Sequence, residues 1–305
     1  MSSPPLADVV GATYRRRAGT ATPDDLGVLE EVALQPLTGG MNNQLYRLRH
    51  DGGDLCLKLH RVDHRHRADR EWLTLTVLAG RGHPRAPHPV WRSDRDDHPA
   101  IVMTLAAGTP LGGACLQPPQ LDAVVAALSD LYSITPADVI DPVPEAATPA
   151  TAMLQRLHDT WTALTATADP RQRQLVDLWQ RWSSSPDPEV VHTPAPQQVL
   201  GRGDPSLANV LWDDTGLTLL DFEYSGWTDP AYELADLIEH PQSRGTPDHA
   251  WSVFVDRFEL DSDARVRHRA ARRMLALFWL ARWRPDDDRF AAQSDRTQHL
   301  LDDLP

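Results

Sequence analysis

VLGRGDPSLANVLWDDTGLTLLDFEYSGWTDPAYELAD, from Val199 to Asp236, is the stretch on which the reading of this chain turns. An apolar approach, Val199-Leu200, leads into Gly201-Arg202-Gly203-Asp204, and Asn209 follows five residues after Asp204. Asn209 to Trp212 alternates as a strand, Asp213-Asp214-Thr215-Gly216 has the residues of a turn, and Leu217 to Leu220 delivers Asp221. The pattern predicts a β-hairpin with two carboxylates and one amide at its base.

Working outward, composition sets bounds. A chain of 305 residues is long enough for two lobes. Its formal charge of −13 argues against a nucleic-acid partner. Two cysteines, Cys56 and Cys115, give no disulfide framework. The N-terminal MSSPPLADVV lacks the basic and apolar regions of a signal peptide, and the apolar run Met274 to Trp283 is too short to span a bilayer. The expectation is a cytoplasmic protein without a membrane partner, monomer or dimer. No His-Glu-x-x-His or paired Cys-x-x-Cys suggests zinc.

Of the 30 basic residues, only Lys58 is lysine. It sits in the apolar run Leu55-Cys56-Leu57-Lys58-Leu59. A compact ammonium on a long stem suits a strand lysine that reaches phosphates, and a forked guanidinium replaces it poorly. Upstream, Gly27 to Leu37 reads as a first strand, and Thr38-Gly39-Gly40-Met41-Asn42-Asn43-Gln44 as a glycine loop before the strand Leu45 to Arg49. Gly39, Gly40 and Asn42 are candidates to let backbone N–H groups approach phosphates. Arg65 to Ala79 has helical spacing and carries Glu71, a candidate partner for Lys58; an intrahelical pair of Glu71 with Arg67 or Arg70 is the alternative.

Ile101 to Leu105 reads as a strong strand running into Ala106-Ala107-Gly108-Thr109-Pro110, a natural hinge. The backbone of Thr104 to Ala106 is a candidate to pair with an adenine edge. Beyond it the chain turns helical: Leu121 to Tyr132, Ala152 to Thr165, Arg171 to Trp182, with Ser183 to Pro196 read as a loop. The fold class expected is α+β, bilobal, with a small antiparallel sheet in 1–105 and a mainly helical lobe in 106–305. Asp229 before Pro230 reads as a helix N-cap. Glu233, Asp236 and Glu239 on that helix either face a cationic acceptor or form a solvated stripe.

Asp204, Asn209 and Asp221 stand in the order base, metal-binding amide, metal-binding carboxylate used in kinase phosphoryl transfer. Together with Leu37 to Asn43, Ile101 to Met103, Gly203 to Leu211, Leu220 to Glu223 and Asp229 to Ala235, they make the chain resemble the aminoglycoside phosphotransferase family, which also holds choline-kinase-like enzymes. The resemblance runs from about Leu37 to Leu237. It implies a protein-kinase-like fold and a small-molecule kinase using ATP or GTP and Mg²⁺. Asp204 would be the base toward an acceptor hydroxyl, Asn209 and Asp221 the Mg²⁺ ligands, and Lys58, oriented by Glu71, the contact to the phosphates. The acceptor would be an aminoglycoside, another antibiotic, an amino sugar or an amino alcohol. Two alternatives stay open: a catalytically silent kinase-fold binding module, and nucleotidyl transfer. One departure is Arg202, where the family usually carries His; a buried ion pair of Arg202 with a carboxylate is expected there. Phe222-Glu223 after Asp221 suggests no mobile activation segment.

Overall fold

A computed structural model describes residues 3–38, 43–139, 142–167, 173–283 and 287–304. The chain divides into two compact units, Met1–Thr109 with Leu211–Tyr224, and Pro110–Val210 with Ser225–Pro305.

The first unit begins with two helices, α1 (Leu6–Ala18) and α2 (Pro23–Glu31). α2 occupies much of the segment whose mix of β-branched and acidic residues reads as a strand. The reason lies just upstream. Thr22 caps the helix and Asp25 returns the bond in a capping box, with Pro23 at the first helical position. Only Gln35–Leu37 is extended, as β1. Then come β2 (Gln44–His50), β3 (Gly53–Leu59), α3 (Arg67–Gly80), β4 (Pro89–Arg92) and β5 (Ala100–Thr104). The five strands form one antiparallel sheet in the order β1-β2-β3-β5-β4. Leu48, Leu57, Leu59 and Val102 pack with Val9, Val10, Leu29 and Val32, so α1 and α2 cover one face. Alternation along a strand then turns Lys58 to the other face, where Glu71 of α3 meets it.

A two-residue strand, β6 (Thr109–Pro110), ends this first pass of the chain. The second unit holds α4 (Pro118–Tyr132), α5 (Ala150–Thr167), α6 (Arg173–Ser183), α7 (Asp187–His192) and β7 (Val199–Gly201). α7 lies in a stretch whose prolines and serines read as a loop; six residues are too few to show a helical period. β8 (Val210–Asp213) and β9 (Gly216–Leu219) follow. The chain closes with β10 (Gly226–Thr228), α8 (Pro230–Glu239), α9 (Asp248–Asp256), α10 (Ser262–Leu280) and α11 (Asp288–Asp302). β7 and β10 pair antiparallel, Gly201 opposite Gly226 and Val199 opposite Thr228. The apolar core of this unit joins Leu157, Trp161, Trp182, Tyr232, Ala235, Met274 and Leu277. No helix among the described residues is long and apolar enough to cross a membrane.

Candidate active site

Lys58 is 4 % exposed. Its Nζ donates to Glu71 Oε2 at 2.6 Å and to Asp221 Oδ1 at 2.5 Å, and lies 3.8 Å from Glu223 Oε2. Burial alone would lower the pKa of Lys58, but Glu71, Asp221 and Glu223 outweigh it and hold the ammonium above its ordinary value. Glu71 also accepts from the Phe222 N–H through Oε1, at 3.2 Å. One carboxylate thus ties the strand lysine to the main chain beside Asp221. Asp221 itself has φ +63, a left-handed conformation that costs a non-glycine residue about 1 kcal/mol or more. Its side chain is 27 % exposed, against 2 % for Glu71 and 1 % for Glu223, so it is the accessible carboxylate of the group.

Glu223 is the part of this cluster that the sequence shows least. Arg67 Nη1 donates to its Oε1 at 2.5 Å, Asn43 Nδ2 to its Oε2 at 2.5 Å, and His60 Nδ1 lies 3.5 Å away. Burial would raise the Glu223 pKa, but His60, Lys58, Asn43 and Arg67 bring it down to about 2. Arg67 therefore serves Glu223 and Asp63, leaving Glu71 to Lys58. The letter Glu223 sits in the quoted motif, but its partners come from over 150 residues upstream, and no local pattern announces them.

In the second unit the segment after β7 forms a tight loop. Gly203 has φ +66, where a side chain is strained. Asp204 Oδ1 accepts from the Ser206 N–H at 3.1 Å, and Asn209 Nδ2 reaches Asp204 Oδ2 at 3.5 Å. Ser206 caps the short 3-10 turn Leu207–Asn209 that carries the amide. Arg202 is buried. Its Nη2 donates to the carbonyls of Ser206 and Asn209, at 3.4 and 3.5 Å, and its N–H donates to Glu233 Oε1 at 2.7 Å. The carboxylate beside Arg202 is thus Glu233, which meets it through the main chain; the Gly203 N–H faces the same carboxylate.

The solvated-stripe reading of α8 is corrected here, because every residue from Ala231 to Glu239 is buried. Burial, with Asp204 adding to it, pushes Glu233 up to about 7 despite the N–H groups of Arg202 and Gly203. Asp236 is pushed up to about 8, by burial first and then by Asp204, Glu233 and Glu239. Glu239 goes the other way: burial opposes ionisation, but Arg296, Arg272 and Arg244 surround it and lower it to about 2. Asp229 caps α8 by accepting from the Ala231 N–H at 2.9 Å and pairs with Arg267 at 2.7 Å. Thr104 spends its N–H on His88 O at 3.0 Å, while Ala106 follows β5 half-buried. Gly39, Gly40 and Asn42 lie outside the described residues.

Residues 33–275 match the model of the phosphotransferase enzyme family. The chain belongs to that family. Comparison with curated proteins returns no match. Among solved structures, this phosphotransferase is similar to a choline/ethanolamine kinase family protein from Mesorhizobium loti, with 21 % identity, 96 % of each chain covered and a TM-score of 0.61. It is similar to a choline kinase from Cryptosporidium parvum at 12 % identity, covering 98 % of this chain and 95 % of that one, with a TM-score of 0.61. An aminoglycoside phosphotransferase in complex with ADP and hygromycin B matches at 16 % identity, over 92 % and 98 % of the two chains, with a TM-score of 0.58. These likenesses show a kinase-like α+β fold.

Proposed function

We propose that this phosphotransferase is a small-molecule kinase that moves the γ-phosphate of ATP or GTP to a hydroxyl. The acceptor class is an aminoglycoside, another antibiotic, an amino sugar or an amino alcohol. The observation that carries the reading is the triad of buried Lys58 and Glu71 with the partly exposed Asp221, in a chain that also keeps Asp204 and Asn209 on a capped, hydrogen-bonded loop. A chain released from catalysis has no need to hold a lysine ammonium among three carboxylates at the cost of their desolvation.

Each residue has a chemical part to play. Lys58 binds phosphate oxygens as a point charge, its direction fixed by Glu71. Asp204 orients the acceptor hydroxyl and takes its proton as the new oxygen–phosphorus bond forms and the bond from the γ-phosphorus to the leaving nucleoside diphosphate breaks. Asp221, the exposed carboxylate of its group, and the amide of Asn209 are oxygen donors that suit Mg²⁺, and these two would hold it. When bound, the ion neutralises phosphate charge. The first unit, with residues 1–105, would bind the nucleotide. With the Thr104 N–H already bonded, the Ala106 main chain is the better candidate for the adenine edge.

The test is a screen of nucleotide consumption over these acceptor classes, with product masses. Gain of one phosphate supports the reading, gain of a nucleotide would establish nucleotidyl transfer, and failure to bind Mg-ATP would leave a silent binding module.

A further inference from the structure

We infer that Gly201 is a positioning residue for the catalytic loop: the side chain it lacks is what allows Glu233 to reach the main-chain N–H of Arg202. The effect on turnover rests on reading Asp204 as the base, but the geometry does not.

A Cβ placed on Gly201 would stand 1.7 Å from Glu233 Oε2, 2.8 Å from Glu233 Cδ and 2.3 Å from Thr228 Cγ2. Real contacts of a Cβ do not fall below about 3 Å, the distance at which carbon and oxygen already repel. Gly201 is not among the residues with positive φ, so the demand at this position is for space and not for an unusual backbone. Glu233 cannot retreat freely. It is 3 % exposed, on a helix whose every residue from Ala231 is buried, and α10 locks that helix through His268 Nδ1 against Ala231 O at 3.1 Å. The alternative for Glu233 is to swing off the loop, which breaks the 2.7 Å bond from the Arg202 N–H.

The consequence is a size match between a strand end and a helix. β7 delivers Gly201 and then the loop; α8 passes behind it and sends a long carboxylate through the gap. The loop's own Asp204 begins three residues further on, so its placement inherits that of Arg202 and Gly203. Shortening the acid by one carbon–carbon bond, about 1.5 Å, would clear most of the overlap with a Cβ at 201.

A double-mutant cycle tests this on the full chain, read by hydrogen exchange at the Arg202 amide. Every variant and the reference carry Thr228→Ser, which removes the other atom a Cβ would strike. Gly201→Ala should speed exchange at this amide about tenfold or more when Glu233 is present, the loss of one hydrogen bond to a carboxylate. In the Glu233→Asp background the same change should cost less than about threefold, because the clash is gone. Equal losses in both backgrounds, or no loss in either, would overturn the inference. If Gly201→Ala with Glu233 does not fold, folding of the Gly201→Ala/Glu233→Asp chain supports the inference, and failure of both chains to fold overturns it. MgATP turnover, read alongside, should fall in kcat more than in KM for nucleotide. An absence of any kinase activity would count against the proposed function and leave the exchange result to stand by itself.

Discussion

Lys58 Nζ and Asp221 Oδ1 are 2.5 Å apart, although 163 residues separate them in the chain. The contact joins a strand of the sheet to the residue that follows the β8–β9 hairpin, and Glu71 holds both sides of it. Replacing Lys58 by Met should therefore do two things. It leaves buried carboxylates without their cation, which destabilises the fold by about 3 kcal/mol or more. On the role proposed for Lys58 it should also remove a donor to the phosphates, lowering kcat about 10²–10³-fold. Denaturant unfolding and steady-state turnover check the two effects separately. Lys58→Arg, which keeps the charge but not the shape, should recover stability better than turnover.

Glu239 makes the opposite case, a carboxylate held by arginines. Its pKa is lowered from 4.5 to about 2 by Arg296, Arg272 and Arg244 against the effect of burial. A depressed carboxylate stabilises the fold above its unfolded pKa and loses that contribution as pH falls toward the folded value. Glu239→Gln should thus cost about 3–5 kcal/mol at pH 7, the loss of one partner from a buried ion pair. The deficit should shrink between about pH 4.5 and pH 2. A deficit that stays constant across that window in denaturant titrations would refute the assignment.

Asp236 should behave in reverse. Burial and the neighbouring carboxylates raise it from 3.8 to about 8. Its folded state favours the protonated form, so stability is full below the unfolded value and is lost as pH rises toward the folded one. Asp236→Asn should therefore gain on the parent as pH goes from 4 to 8, by at least ~1.4 kcal/mol, the equivalent of one pKa unit. The pH dependence of the unfolding midpoint reads this directly.

The residues of the proposed site are legible as a pattern because they are local. Asp204, Asn209 and Asp221 fall within eighteen residues of one another, and Lys58 announces itself as the single lysine among arginines. The antiparallel sheet was legible from alternation and from turns such as Asp51 to Asp54. Other features were hidden for physical reasons. α2 is set by Thr22, Pro23 and Asp25, a cap that precedes the stretch in which β-branched residues suggest a strand. The acids of α8 look like a charged stripe, but all are buried, each with a different answer: backbone N–H groups for Glu233, arginines for Glu239, a raised pKa for Asp236. Those partners lie far along the chain, and periodicity carries no record of them.

Asp229 illustrates how a motif aspartate can be structural. It accepts from the Ala231 N–H and pairs with Arg267, both side chains being 12 % exposed. Asp229→Ala should cost about 1–2 kcal/mol from the lost cap alone. Asp229→Asn should keep most of the cap. In both variants the Mg²⁺ concentration for half-maximal turnover should stay that of the parent, since the Asp229 carboxylate is engaged by the Ala231 N–H and Arg267; a shift of that concentration in the Asn variant would argue that Asp229 is a ligand.

In the proposed reaction Asp204 serves as the base in phosphoryl transfer to a small hydroxylated molecule. The most direct measurement of this role is turnover of the best acceptor from the nucleotide screen by the parent and by Asp204→Asn, with the product weighed by mass spectrometry. The parent should give an acceptor heavier by one phosphate, and the variant a kcat lower by about 10²–10⁴-fold. Full turnover by Asp204→Asn would contradict the role.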